Sequence, residues 1–153
     1  MGLLFGLLFV GIGLFALFRG LVQYRTGKAS SGWPSVKGKV TLATVNVTSS
    51  TDEDGSTSKR YSPRVEYTYS VSGRNHSGSQ VVIGSQATYG SRAGAEAKLT
   101  YRSGQQVDVY YNPEKPSQAV LEAGAVGGAW GTLLIGIVFA VVGAVVIFFN
   151  LRG

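Results

Sequence analysis

His76 is the one histidine in a chain of 153 residues that has no cysteine. Zinc centres of the Cys/His type, thiolate nucleophiles and multi-histidine metal sites all require side chains that one such chain lacks. A serine nucleophile would need His76 as its base together with an orienting carboxylate, and no G-x-S-x-G elbow is present. Beside a turn, His76 reads as a surface residue. Asp52, Glu53 and Asp54 form the one carboxylate cluster that could share acid and base work, but they stand in a polar turn where water solvates them. Asp52, Asp54 and Gly55 also fit three positions of a calcium loop, yet Ser50 replaces its first Asp and Tyr61 its last Glu. The residues therefore assign no catalytic, cofactor or metal site, and the expectation is a protein that is not an enzyme.

Two further motifs dissolve in their context. Gly11 to Ala16, "GIGLFA", matches the dinucleotide fingerprint G-x-G-x-x-A, which needs a preceding strand and a phosphate site open to water. Here it lies inside an apolar run. Asn46-Val47-Thr48 and Asn75-His76-Ser77 fit the glycosylation triplet, which a Ser/Thr-rich chain generates easily.

Residues 126 to 149 contain no ionisable group, and as a helix they reach about 36 Å, enough to cross a hydrocarbon core of about 30 Å. The first segment is uncharged from Leu3 to Phe18, and Leu21, Val22 and Tyr24 extend it once Arg19 snorkels. A cleaved signal peptide fits less well than a retained anchor, because no basic region precedes the apolar run and no small-x-small site follows it. Gly6 occupies the position where a myristoylation motif at Gly2 would need Ser or Thr. The predicted organisation is a transmembrane helix over 1–24, a connector over 25–35, a β-rich domain over 36–123, a second transmembrane helix over 124–150 and a tail over 151–153.

Within the middle domain, Val40 and Leu42 alternate in one phase and Val45 and Val47 in the other, which predicts a β-bulge. A polar turn at Asp54-Gly55 leads to Val65, Tyr67, Tyr69 and Val71 on a single face, so these runs form a long hairpin. A turn at Ser72-Gly73 opens a strand through "RNHSGSQVVIG". Residues 91–103 predict a short helix with Ser91 as N-cap and Gly104 as terminator. Val107 to Tyr111 and Ala119 to Leu121 supply the last strands, with Pro113 and Pro116 ending the longer one because proline cannot donate to a ladder. The fold class is membrane α + β: two transmembrane helices flanking a small, mostly antiparallel β-sheet domain, a sandwich or partial barrel, with one short helix.

The ordered set Trp33-Pro34, Gly38, Tyr67, Tyr69, Gly73, Val109, Tyr110, Asn112-Pro113, Pro116 and Leu121 between two apolar segments resembles the domain-of-unknown-function 3592 family. The resemblance covers nearly the whole chain and implies a small membrane protein with a β-rich domain between spans. It carries no established activity. His76 departs from the pattern, standing where the family more often has an aromatic or other apolar residue.

Gly124, Gly128, Thr132, Gly136, Ala140 and Ala144 recur every four residues, with Gly127, Gly131 and Gly143 widening the stripe; Gly2, Gly6, Gly13 and Gly20 form the counterpart in the first span. Small faces let helix backbones approach closely where lipid supplies no hydrophobic drive. The stripe predicts packing of the two spans and, through what remains, self-association or a membrane-protein partner. The net charge of +6 is scattered, with Lys59-Arg60 the one adjacent basic pair, which argues against nucleic acid. Arg19, Arg25 and Lys28 suit lipid head groups, and by the positive-inside rule they lean toward a cytoplasmic β-domain. The functional expectation is a non-enzymatic membrane-anchored interaction or scaffold protein with no small-molecule substrate; the alternative is an accessory subunit of a transporter or channel.

Overall fold

The computed structural model describes residues 2–85 and 87–152; Met1 and Gly153, at the ends of the first segment and the tail, lie outside the described residues. Helix α1 runs from Gly2 to Ala29 and passes through a single 3-10 turn, Ser30–Gly32, into strand β1. The helix is longer than the apolar run that nucleates it, so most of the expected connector is helical. No proline interrupts the chain before Pro34, where the backbone turns extended.

β1 (Ser35–Thr51) and β2 (Thr57–Val71) pair in register from Thr51↔Thr57 to Gly38↔Tyr69. The bulge falls between Val40 and Leu42, earlier than the spacing of valines implied. Thr41 is the extra residue, and it moves Leu42 outward while Ala43 and Val45 turn inward beside Val65. At the hairpin tip the Asp52 N–H donates to Ser56 O, the Gly55 N–H to Asp52 O and the Ser56 N–H to Asp54 Oδ1, so the acidic cluster builds a turn. The Ser56 N–H, and after it the Ser56 hydroxyl, lower the affinity of the Asp54 carboxyl for protons below its ordinary value.

Ser72 and Gly73 both take positive φ, 50° and 78°, as a two-residue hairpin turn requires. β3 is shorter than expected, Arg74–Gly78, because Val81 to Ile83 leave the sheet to meet the chain on its way to the second helix. Leu121 and Glu122 donate to the Val81 carbonyl, and Ile83 bridges Val126 in parallel. α2 also contracts, to Arg92–Glu96, with Ser91 Oγ accepting from Gly94 N–H as its cap. Gly104 does not end this helix; at φ 86° it forms the turn before β4 (Gln106–Tyr111), and β5 is Ala119–Val120.

The result is the expected small antiparallel sheet domain, an open sheet of five strands in the order β3-β2-β1-β4-β5. Val40, Tyr67, Tyr69, Val107 and Val109 bury one face, with Val81, Leu99 and Tyr101 packed on the core from the chain between β3 and β4. Thr68 and Ser70 stay exposed on the other face, the alternation of a half-wet antiparallel sheet. Helix α3, Ala129–Arg152, then returns antiparallel along α1. Both helices are long and apolar enough to cross a membrane.

Candidate functional site

Four glycines of α1, at 6, 13, 20 and 27, are spaced by seven residues, and each faces the chain returning through α3 or its approach. A Cβ on Gly13 would lie 2.6 Å from Ala140 N, one on Gly6 2.6 Å from Ile147 Cγ1, and one on Gly20 2.9 Å from Leu133 Cγ. From α3, a Cβ on Gly143 would lie 2.8 Å from Val10 N and one on Gly136 2.9 Å from Leu17 N. The seam of α3 is thus Leu133, Gly136, Ala140, Gly143 and Ile147, alternating three and four residues as in a coiled coil. Phe9 and Phe139 stack beside it at 5.4 Å, and Tyr24 meets Trp130 edge-on at 5.9 Å at the domain end.

This arrangement corrects the four-residue stripe. Gly124, Gly127 and Gly128 are not on the helix, which begins at Ala129; Gly124 and Gly128 hold φ of 76° and 68°, outside the helical region. Gly131 faces open space, Ala144 is exposed, and the Thr132 hydroxyl turns back to Gly128 O. The reason is angular. Four residues advance an α-helix by about 400°, so five such steps wander about 200° around the axis, whereas seven residues drift by only about 20°. Gly6, Gly13, Gly136, Ala140 and Gly143 belong to the contact; Gly27, Leu133 and Ile147 were missed, although the glycine heptad was there to be read.

Above the seam, the neck joins helices and domain. The buried Ser30 hydroxyl donates to Gly27 O at 2.6 Å and accepts from Gly124 N–H at 2.8 Å, tying the entry of the domain to its exit. Gly127 packs against Ser85, where a Cβ would come within 2.7 Å of Ser85 Cβ, and Gly84 lies against Gln23 of α1. Nothing in the local sequence singles out Ser30 for this task.

The basic residues occupy three separate situations. Arg19 lies over the Phe15 ring at 5.9 Å, Lys28 is exposed in the last turn of α1, and Arg25 lines a hollow with Trp33 and Glu114. His76 stacks on Tyr69 at 5.5 Å, so its imidazole serves as the flat ring that this strand position accommodates. Among the described residues, no three His, Cys, Asp or Glu side chains gather as a metal site.

The motif residues of the domain converge structurally. Tyr67, fully buried, places its hydroxyl 2.9 Å from both Gln80 O and Ala119 O, and Tyr69 donates to Pro116 O at 2.7 Å. Burial, reinforced by Tyr69, pushes the Tyr67 phenol well above its ordinary range, and burial with Glu122 pushes Tyr101 up to about 12. Gly38 leaves room that a Cβ would close, at 2.6 Å from Val109 Cγ2 and 2.8 Å from Thr68 O. A family model described as "Domain of unknown function (DUF3592)" matches residues 36–126, from the start of the sheet to the neck. No curated protein matches the chain.

Proposed function

The chain belongs to the DUF3592 family, and from that premise we propose that it is a non-enzymatic membrane-anchored scaffold whose β-domain meets a protein partner at the bilayer surface. The observation that carries this reading is the glycine seam. It locks α1 and α3 together while leaving Phe15, Phe18, Leu134 and Phe149 each more than half exposed on the outside of the pair. An apolar girdle of that extent is what lipid covers, and only 17% and 11% of the two most apolar helical windows are buried within the protein, unlike the core helices of a soluble domain.

The seam absorbs most of the small residues, so self-association, as part of the same proposal, would use the outer face of α3 where Gly131 remains uncovered. Arg19, Arg25 and Lys28 at the domain end favour a cytoplasmic β-domain. The Ser/Thr-rich hairpin tip beyond Val47 and Tyr61, past the point where Tyr89 pairs with the β2 edge, is the surface offered to a partner.

Alkaline extraction of native membranes tests the anchor: the protein should stay in the pellet, and its release into the supernatant would end the proposal. In nanodiscs, Gly131→Leu should reduce oligomer size; a particle that is monomeric with and without the substitution removes the self-association. Copurification from crosslinked native membranes should recover a partner that is lost when residues 44–62 are replaced by a short turn.

A further inference from the structure

Where α1 leaves its apolar stretch it lines an open hollow of about 380 Å³ together with the turn from Asn112 to Gln118. Arg25 and Thr26 enter from the helix, Trp33 from the approach to β1, and Glu114 and Gln118 from the turn. Hydrogen bonds fix this turn: Asn112 N–H donates to Gln118 O at 2.8 Å, Asn112 Nδ2 to Gln118 Oε1 at 3.0 Å, Glu114 N–H to Asn112 Oδ1 at 2.9 Å, and Tyr69 holds Pro116 O. Both ends of the Asn112 amide are consumed in building the turn. The Gln118 amide nitrogen and the Glu114 carboxylate have no partner among the described residues, and Arg25 joins none of the ion pairs formed there.

A cation and an anion therefore line one hollow without pairing, beside an indole. Phosphate alone would meet the Arg25 guanidinium but also Glu114, and an amine alone would meet Glu114 but also Arg25. A ligand bearing both charges satisfies both residues. The level matters as well: Arg25 follows Tyr24, whose ring pairs with Trp130, and Tyr and Trp are enriched at the depth where hydrocarbon gives way to head groups.

We propose that this hollow binds one zwitterionic phospholipid headgroup, with the phosphate on Arg25 and Gln118 and the ammonium between Glu114 and Trp33. Charge-assisted hydrogen bonds hold the phosphate, and the Trp33 face adds cation–π attraction to the carboxylate's pull on the ammonium. The assignment rests on the membrane reading above, but its failure is distinguishable, because alkaline extraction reports insertion without reference to headgroup choice.

The test uses the full chain in nonionic detergent with Trp130→Phe, so that Trp33 alone fluoresces. It is titrated with short-chain phosphatidylethanolamine, with phosphatidylglycerol of equal chain length, and with free phosphoethanolamine. Phosphatidylethanolamine should shift the emission at about tenfold lower concentration than phosphatidylglycerol, a preference within reach of one hydrogen-bonded charge pair. Glu114→Gln should abolish that preference, weakening phosphatidylethanolamine and, with the like charge gone, tightening phosphatidylglycerol, and Arg25→Gln should weaken both lipids about tenfold. Equal affinity for the two lipids, or a preference that survives Glu114→Gln, overturns the proposal. Free phosphoethanolamine binding as tightly as the lipid would make the ligand a soluble one and overturn it equally. Should the Trp130→Phe chain fail to fold, native mass spectrometry of the unsubstituted protein loaded with both lipids in equal amounts reads the same ratio.

Discussion

Gly13 and Gly136 face each other across the helix pair: a Cβ on Gly13 would come 2.9 Å from the Gly136 carbonyl oxygen, and one on Gly136 3.0 Å from the Gly13 carbonyl oxygen. The clash is reciprocal and involves backbone, so no rotamer change relieves it. Gly6 and Gly143 repeat the relationship two turns away, at 3.2 and 2.8 Å.

Gly13→Leu should therefore force the helices apart, at a cost on the order of 1–3 kcal/mol for overpacking. Because the chain has no native cysteine, Phe9→Cys with Phe139→Cys gives an unambiguous readout. Oxidative crosslinking should be efficient in the otherwise unsubstituted chain and largely lost with Gly13→Leu, while Gly11→Leu, which meets open space, should leave it intact. Equal crosslinking in all three would contradict the seam.

Tyr67→Phe keeps the ring and removes the one donor shared by two carbonyls in the core. Leaving buried acceptors without a donor costs about 1–3 kcal/mol, which in a domain of this size lowers Tm by several degrees for each kcal/mol. Thermal melting followed by circular dichroism in detergent measures it; an unchanged Tm would mean that water already serves those carbonyls.

Alkaline pH should unfold the domain through the same region. The folded state holds the phenols of Tyr67 and Tyr101 protonated past the ordinary value of 10.0, for both by burial first, so the stability they contribute is complete below pH 10 and is lost as pH rises through the folded values, about 12 for Tyr101. Phenolate absorbance should show some of the 8 tyrosines ionising late and together with loss of sheet signal. Smooth ionisation of every tyrosine near pH 10, without unfolding, would refute this.

Ser72 occupies the left-handed region at φ 50°, which costs a side-chain-bearing residue roughly 1–2 kcal/mol and which Asn tolerates better. Ser72→Asn, giving the Asn-Gly pair preferred in this hairpin turn, should raise Tm by a few degrees. A lower Tm would show that the serine holds some contact of greater value.

The hairpins were legible because alternation and turn residues agree: Val65, Tyr67, Tyr69 and Val71 point one way, and Ser72-Gly73 can hardly do anything but turn. The bulge was legible in kind but misplaced, since the valine phases show that a residue is extra without showing which one is. What covers the buried face of the sheet was not legible. Strand count alone does not reveal whether the second layer is a sheet or the irregular segment around Leu99 and Tyr101. The helix seam was half legible: small residues announced close packing, but counting by fours followed composition where the helix itself turns by sevens. Ser30 was invisible, because its role depends on Gly124, 94 residues along the chain.

That bond has a mechanical reading. With its first and last segments stapled at Ser30, the β-domain is gripped by α1 and α3 jointly, like a blade held by two tangs in one handle. A lateral pull on the distant hairpin would lean both helices as a unit and not pivot the domain on a single leash.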